Sequence, residues 1–285
     1  GSPGFPVHTW TKAQRLAAAA LQALLLAAVL AASAVVVLFT FDGRPNPAPP
    51  PLAGVLGLVA LGLAALLGLL RWRSAATLQV ESGRLLLEGR GDRFEIPRDA
   101  VTHVRSWRLP LPGPGLTFGM RSGRDFQYGL QVGDPLAVLE ALGREPAQAH
   151  ERILHPCVAF SHARATVLRP GWPRRALAYL LFPLVTGGIM FRANQYISYG
   201  GPFAQYRMYG LGPYLLSFFT YWMYFTASLV LFAAFLRVLA EVLAVGGTWL
   251  SSRHAKGMRR FVEGSHVLLY FVVPLLFMAL QFGVL

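Results

Sequence analysis

The sequence predicts an α-helical integral membrane protein of about five spans with an inserted small antiparallel β domain closed by a C-terminal helix. Three observations carry this. Hydrophobic residues fill 54% of the 285 positions and charged residues 14%, against roughly 25% charged in an ordinary soluble domain. Five apolar runs approach or exceed the roughly 20 residues that a helix needs to cross the bilayer hydrocarbon. Between the second and third runs the apolar period shifts from helical to alternating, the pattern of half-buried strands.

The first run, Leu16 to Phe41, holds no charge and only Gln22, Ser33 and Thr40 as polar residues. It is too long for the 7–15-residue apolar core of a secretory signal peptide. The segment DGRPNPAPPP, 42–51, must turn, because its prolines lack amide donors and push their predecessors toward extended backbone. Leu52 to Leu70 then returns as a second span, so residues 1–73 form an N-terminal transmembrane hairpin. Residues 146–175 read as a basic linker. Residues 176–285 hold three more spans: Ala176 to Phe191, Pro213 to Leu236 and His266 to Leu285. The third of the five is short unless Arg192 to Asn194 lie in the interface, and residues 238–250 either extend the fourth span or lie in the interface.

Residues 75–145 contain nine of the 26 basic residues and nine of the 13 acids, leaving 17 bases and 4 acids elsewhere. The excess behind the net charge of +13 therefore flanks apolar runs. That distribution fits orientation by loop arginine and lysine and contact with anionic headgroups; no nucleic-acid partner is expected. Basic residues alternate in side: Lys12, Arg15, Arg71, Arg73, Arg164, Arg169, Arg174, Arg175, Arg253, Lys256, Arg259 and Arg260 fall on one, and Arg44, Arg192 and Arg207 on the other. The positive-inside rule then makes the N-terminus and central domain cytoplasmic and the C-terminus external.

Residues 74–145 are the β domain. TLQVESGRLLLEGRGDRFEIP alternates apolar and polar residues around Ser82-Gly83 and the Gly89 to Gly91 loop. Val101, Val104 and Trp107 continue the pattern, and Leu116 to Arg121 with Phe126 to Leu130 flank Ser122-Gly123-Arg124 as a hairpin. Asp134 caps a helix from Pro135 to Leu142 with Leu136, Leu139 and Leu142 on one face. Balanced charge and a closing helix of its own predict that this stretch folds by itself.

LQVESGRLLL, FEIPRDAVTHV, LTFGMRSGRDFQYGL and DPLAVLEAL together resemble the small pleckstrin-homology-like domains of bacterial membrane proteins, in which a transmembrane hairpin precedes a curved sheet closed by a C-terminal helix. The resemblance covers about Arg71 to Glu145 and, loosely, the preceding hairpin. It implies a bacterial inner (cytoplasmic) membrane protein with a scaffold or assembly role, occasional lipid contact and no catalysis. The loop Glu88 to Arg93 mixes two arginines with two acids between its glycines, a poor phosphate cradle beside the converging cations such a site needs.

Site candidates are few. Single Cys157 rules out an intrachain disulfide, and His155, Cys157 and His162 lack the repeated close spacing of a structural zinc site. No metal or cofactor is implied. Arg192, Tyr196, Tyr199, Tyr206, Arg207, Tyr214 and Trp222 crowd the external side, either as an aromatic belt or as contacts for a lipid, a quinone or a partner helix. Arg237 and Glu241 are the one close pair of opposite charges on an apolar helix. The 24 residues before Arg237 cover about 36 Å, so an exposed pair at the cytoplasmic interface is expected, with Glu241→Gln nearly neutral. The function expected is a non-enzymatic inner-membrane scaffold or accessory subunit, with a protein partner or a second copy of itself. The alternative is a lipid- or quinone-handling enzyme or transporter built on the last three spans.

Overall fold

The computed structural model describes residues 4–41, 51–143, 155–167 and 171–281; the expected turn at 42–50 and most of the expected linker lie outside them. In chain order the elements are β1 (Gly4–Trp10), α1 (Lys12–Phe41), α2 (Pro51–Arg73), β2 (Ala75–Val80), β3 (Arg84–Gly89), β4 (Arg93–Pro97), β5 (Val101–Ser106), β6 (Gly115–Met120), β7 (Gly129–Val132), α3 (Pro135–Ala141) and α4 (Pro156–Thr166). There follow α5 (Trp172–Tyr199), α6 (Ala204–Tyr209), α7 (Leu211–Leu250) and α8 (Ala255–Gln281). Five helices, α1, α2, α5, α7 and α8, are long and apolar enough to cross a membrane, as expected of a multi-pass protein. They belong to two compact units, one of Gly1–Leu26, Ala60–Leu168 and Leu239–Leu285, the other of Ala27–Val59 and Arg169–Val238.

The first unit is organised by a curled seven-stranded antiparallel sheet in the order β4-β3-β2-β1-β7-β6-β5. Its central strand comes from outside 74–145, the stretch expected to form the domain alone. β1 pairs with β2 from Gly4↔Gln79 to His8↔Ala75 and with β7 from Val7↔Val132 to Trp10↔Gly129. Pro6 conceals this strand, because proline belongs at sheet positions with no ladder bond to lose. Pairing with β7 starts only at Val7, one residue past Pro6. The whole hairpin α1–α2 is thus an insertion between two neighbouring strands.

Alternation drives the sheet's inner face together. Val7, Leu78, Leu85, Leu87, Ile96, Val104, Leu116, Phe118, Leu130 and Val132 form one buried core with Val138, Leu139 and Leu142 of the closing segment. α3 starts as the sequence requires, with Asp134 accepting from the Leu136 amide and Pro135 in the first turn. The edge strands β4 and β5 are joined by a single 3-10 turn, Arg98–Ala100, and the Arg98 guanidinium donates to the Leu142 carbonyl at the end of α3. The last hairpin differs from expectation. Its second arm is regular only from Gly129; Gly129 and Gly115 make room for the Trp107 indole, and a Cβ at either would lie 2.8 or 2.7 Å from that ring.

The stretch expected to be a linker contains α4, which belongs to the first unit. Ala159 and Ala163 meet Ala255 of α8, the Cys157 thiol donates to the Arg108 carbonyl at 2.7 Å, and His162 Nδ1 lies 3.0 Å from Asp134. In the second unit α5 passes through a π-helical turn, Leu177–Leu181, and Gly187 lets it approach the Trp222 backbone of α7, where a Cβ would sit at 3.1 Å. α7 runs unbroken for 40 residues, so residues 238–250 extend the helix of the fourth span.

Candidate functional site

The junction between the sheet and the first two helices is built by tryptophan and arginine. A single residue, Thr11, separates β1 from α1, and a single residue, Ser74, separates α2 from β2, so the sheet has no tether on which to swing. Trp10, 1% exposed, packs with Trp107, Ala18 of α1 and Leu67 of α2. Its indole donates to Gln131 Oε1 at 2.9 Å, which satisfies the one polar atom of a ring buried this deeply. The Arg15 guanidinium lies 3.8 Å over the Trp107 ring, and Arg71 donates to the Pro112 carbonyl. Burial holds the neighbouring His8 imidazole below its ordinary value of 6.5, with the Arg71 charge adding to the effect and a hydrogen bond with the Arg71 backbone opposing it.

Beside this junction lies a cavity of about 250 Å3 lined by Gln14, Arg73, Arg90, Asp92 and Tyr128 among others. Arg90 reaches it from the β3–β4 loop and stacks 4.0 Å from the Trp72 ring at the end of α2. That loop, read from sequence as a mixed-charge turn and a poor phosphate cradle, therefore rests against the end of α2.

A second cluster is ionic. Arg259 on α8 is 3% exposed and makes two hydrogen bonds to Glu241 on α7, at 2.9 and 3.0 Å, and a 2.6 Å ion pair with Glu263 one turn along its own helix. Arg164 of α4 stands 3.9 Å from Glu241. Sequence reasoning paired Glu241 with Arg237 as an exposed i,i+4 couple and missed Arg259. Helical periodicity carries no information on a partner 18 residues away across a turn. The acid is thus committed to a buried cation, and its replacement is no longer expected to be neutral.

The aromatic and arginine candidates around α6 gather chiefly by ring packing. Tyr214 contacts Phe191, Phe203 and Tyr206 with centroids 5.1, 6.1 and 6.3 Å apart, and Tyr199 meets Tyr209 at 6.3 Å. Arg192 lies over Tyr196 and Phe203 at 5.7 and 5.8 Å. Tyr196, Tyr206 and Arg207 are exposed. Trp222 stands apart from this set, against Phe219, and its buried Nε1 has no hydrogen-bond partner among the described residues. The buried polar group here is one the sequence reading passed over: Gln195 donates to Gln205 at 2.6 Å, and Gln205 to Ser217 at 2.8 Å, tying α5, α6 and α7 together.

Among the described residues no three His, Cys, Asp or Glu side chains converge as metal ligands would. His155, Cys157 and His162 are held by packing around α4. Burial lowers the His155 pKa, helped by Arg108, and raises that of the Cys157 thiol, the reverse of the shift that activates a nucleophile. No protein family, curated protein or solved structure matches the chain.

Proposed function

We propose that this protein is a non-enzymatic scaffold or accessory subunit of the bacterial cytoplasmic membrane, which holds a pleckstrin-homology-like domain against the cytoplasmic leaflet for a partner protein or a second copy to engage. The observation that carries the reading is the junction: β1 and β2 sit side by side in the sheet, and α1 and α2 leave from their ends with Trp10 and Trp107 packed on both helices. A domain inserted this way keeps one orientation to the bilayer, which assembly requires and free diffusion of a tethered module does not. The strand order and the closing helix support the pleckstrin-homology-like assignment, and the basic residues near Arg73 and Arg90 suit anionic headgroups.

Two experiments test it. In a Cys157→Ala background, a membrane-impermeant thiol probe on intact cells should label Gly200→Cys and not Gly89→Cys; labelling of Gly89→Cys would reverse the orientation. In a deletion strain, the wild-type gene should restore any growth or envelope defect. Leu136→Asp with Leu139→Asp, which charges the buried face of α3, should fail to do so, whereas Tyr206→Phe with Arg192→Gln should succeed. Loss of rescue by the second pair in a folded, inserted protein would favour a ligand-handling function and defeat the scaffold.

A further inference from the structure

We propose that the helical hairpin formed by the end of α7 and the start of α8 is an anchor seated in the headgroup zone of an anionic lipid surface. This deepens the lipid contact of the proposed function by naming the segment that makes it. At 1.5 Å per residue the 40 residues of α7 extend about 60 Å, twice the roughly 30 Å of hydrocarbon. Its last three turns bury one face of small residues and leave a second, apolar face open. Ala240, Ala244 and Thr248, four residues apart, are buried, as are Ala255, Arg259 and Val262 of α8. The opposite stripe stays apolar and open, with Val242 61%, Leu243 52%, Trp249 53% and Leu250 91% exposed, and Phe261 of α8 72%.

The polar groups around that stripe have one sign. Arg253, Lys256 and Arg260 are exposed, while both acids of the hairpin, Glu241 and Glu263, are drawn onto Arg259. An apolar stripe with tryptophan and a cationic rim is the composition that seats a helix at the boundary between acyl chains and headgroups. A second copy of the hairpin would bring the same three cations into opposition. Position agrees with charge: α4 packs on Ala255 at the hairpin tip and reaches Asp134 of the β domain through His162. That domain is joined within two residues to the ends of α1 and α2, so the tip is held close to the bilayer surface.

The test uses nitroxide labels at Leu243→Cys, Leu250→Cys and, as a control on the hairpin turn after β6, Ser122→Cys, each in Cys157→Ala protein in nanodiscs. Power saturation compares collision with oxygen, concentrated in lipid, and with a water-soluble nickel chelate. In discs containing phosphatidylglycerol, oxygen should dominate at 243 and 250 and nickel at 122. Either pure phosphatidylcholine or the triple variant Arg253→Gln, Lys256→Gln, Arg260→Gln should raise nickel access at 250 several-fold. In unlabelled protein, brominated phosphatidylglycerol should quench a fluorescence component that is absent from Trp249→Phe. Nickel-dominated access at 243 and 250, dipolar broadening between copies, or the same depth in both lipids would each overturn the proposal. None of these readouts depends on which side of the membrane the hairpin faces, so an inverted topology would sink the proposed orientation and leave this anchor standing.

Discussion

Removing both acids from Arg259, by Glu241→Gln with Glu263→Gln, should be among the most damaging conservative changes available to this protein. The guanidinium is 3% exposed and its ion-pair partners are those two carboxylates. Stranding a buried charge costs about 3–5 kcal/mol. Glu241→Gln alone leaves Glu263 in place and forfeits charge-assisted hydrogen bonds worth about 1.5–3 kcal/mol. Both acids are 25% exposed, so water screens them and the lower end of each range is expected. The assay is built in: Cys157 is buried in the first turn of α4, a helix that rests on α8 through Ala159 and Ala163, and its reaction with a thiol-reactive dye in mild detergent reports opening. A tenfold faster reaction corresponds to about 1.4 kcal/mol, so the single change should accelerate labelling about tenfold and the double change about a hundredfold. Adding Arg259→Met to the double variant should then slow labelling again, because the stranded charge itself is gone. Equal rates for the single and double variants, or no recovery in the triple, would refute the assignment of this cluster as a buried clamp.

Other outcomes follow from the same geometry. A fragment covering residues 74–143 should be largely unfolded by circular dichroism, since β2 and β7 meet only through β1; joining Gly4–Trp10 to Ala75 by a short turn should restore sheet signal. Gly129→Ala should cost about 1–3 kcal/mol through overpacking against Trp107, and the same change at Gly133, where a Cβ meets nothing within 4 Å, should cost far less. His8 and His155 both have folded pKa values below 6.5, so the unfolded chain takes up protons first as pH falls. Their contribution to stability should be complete above pH 6.5 and decline below it, and His8→Gln with His155→Gln should flatten thermal stability between pH 7 and pH 5.

Much of the architecture was legible because hydrophobic patterning is local. Apolar length placed the five long helices, the change of period placed β2 to β6, and Asp134-Pro135 placed the start of α3, since each signal lies within the element it specifies. β1 left no such trace: seven residues interrupted by Pro6 and followed at once by a long apolar helix do not alternate, and their role depends on the place between β2 and β7 that exists only after folding. Glu241 and Arg259 were likewise readable as charges, and not as partners, until α7 and α8 were set side by side. Composition and periodicity by themselves determine which residues must leave water, because that free energy belongs to each side chain. Tertiary structure alone decides which strand fills the sheet's centre, which cation takes the acid and which apolar stripe stays open, because those depend on pairings between segments distant in sequence.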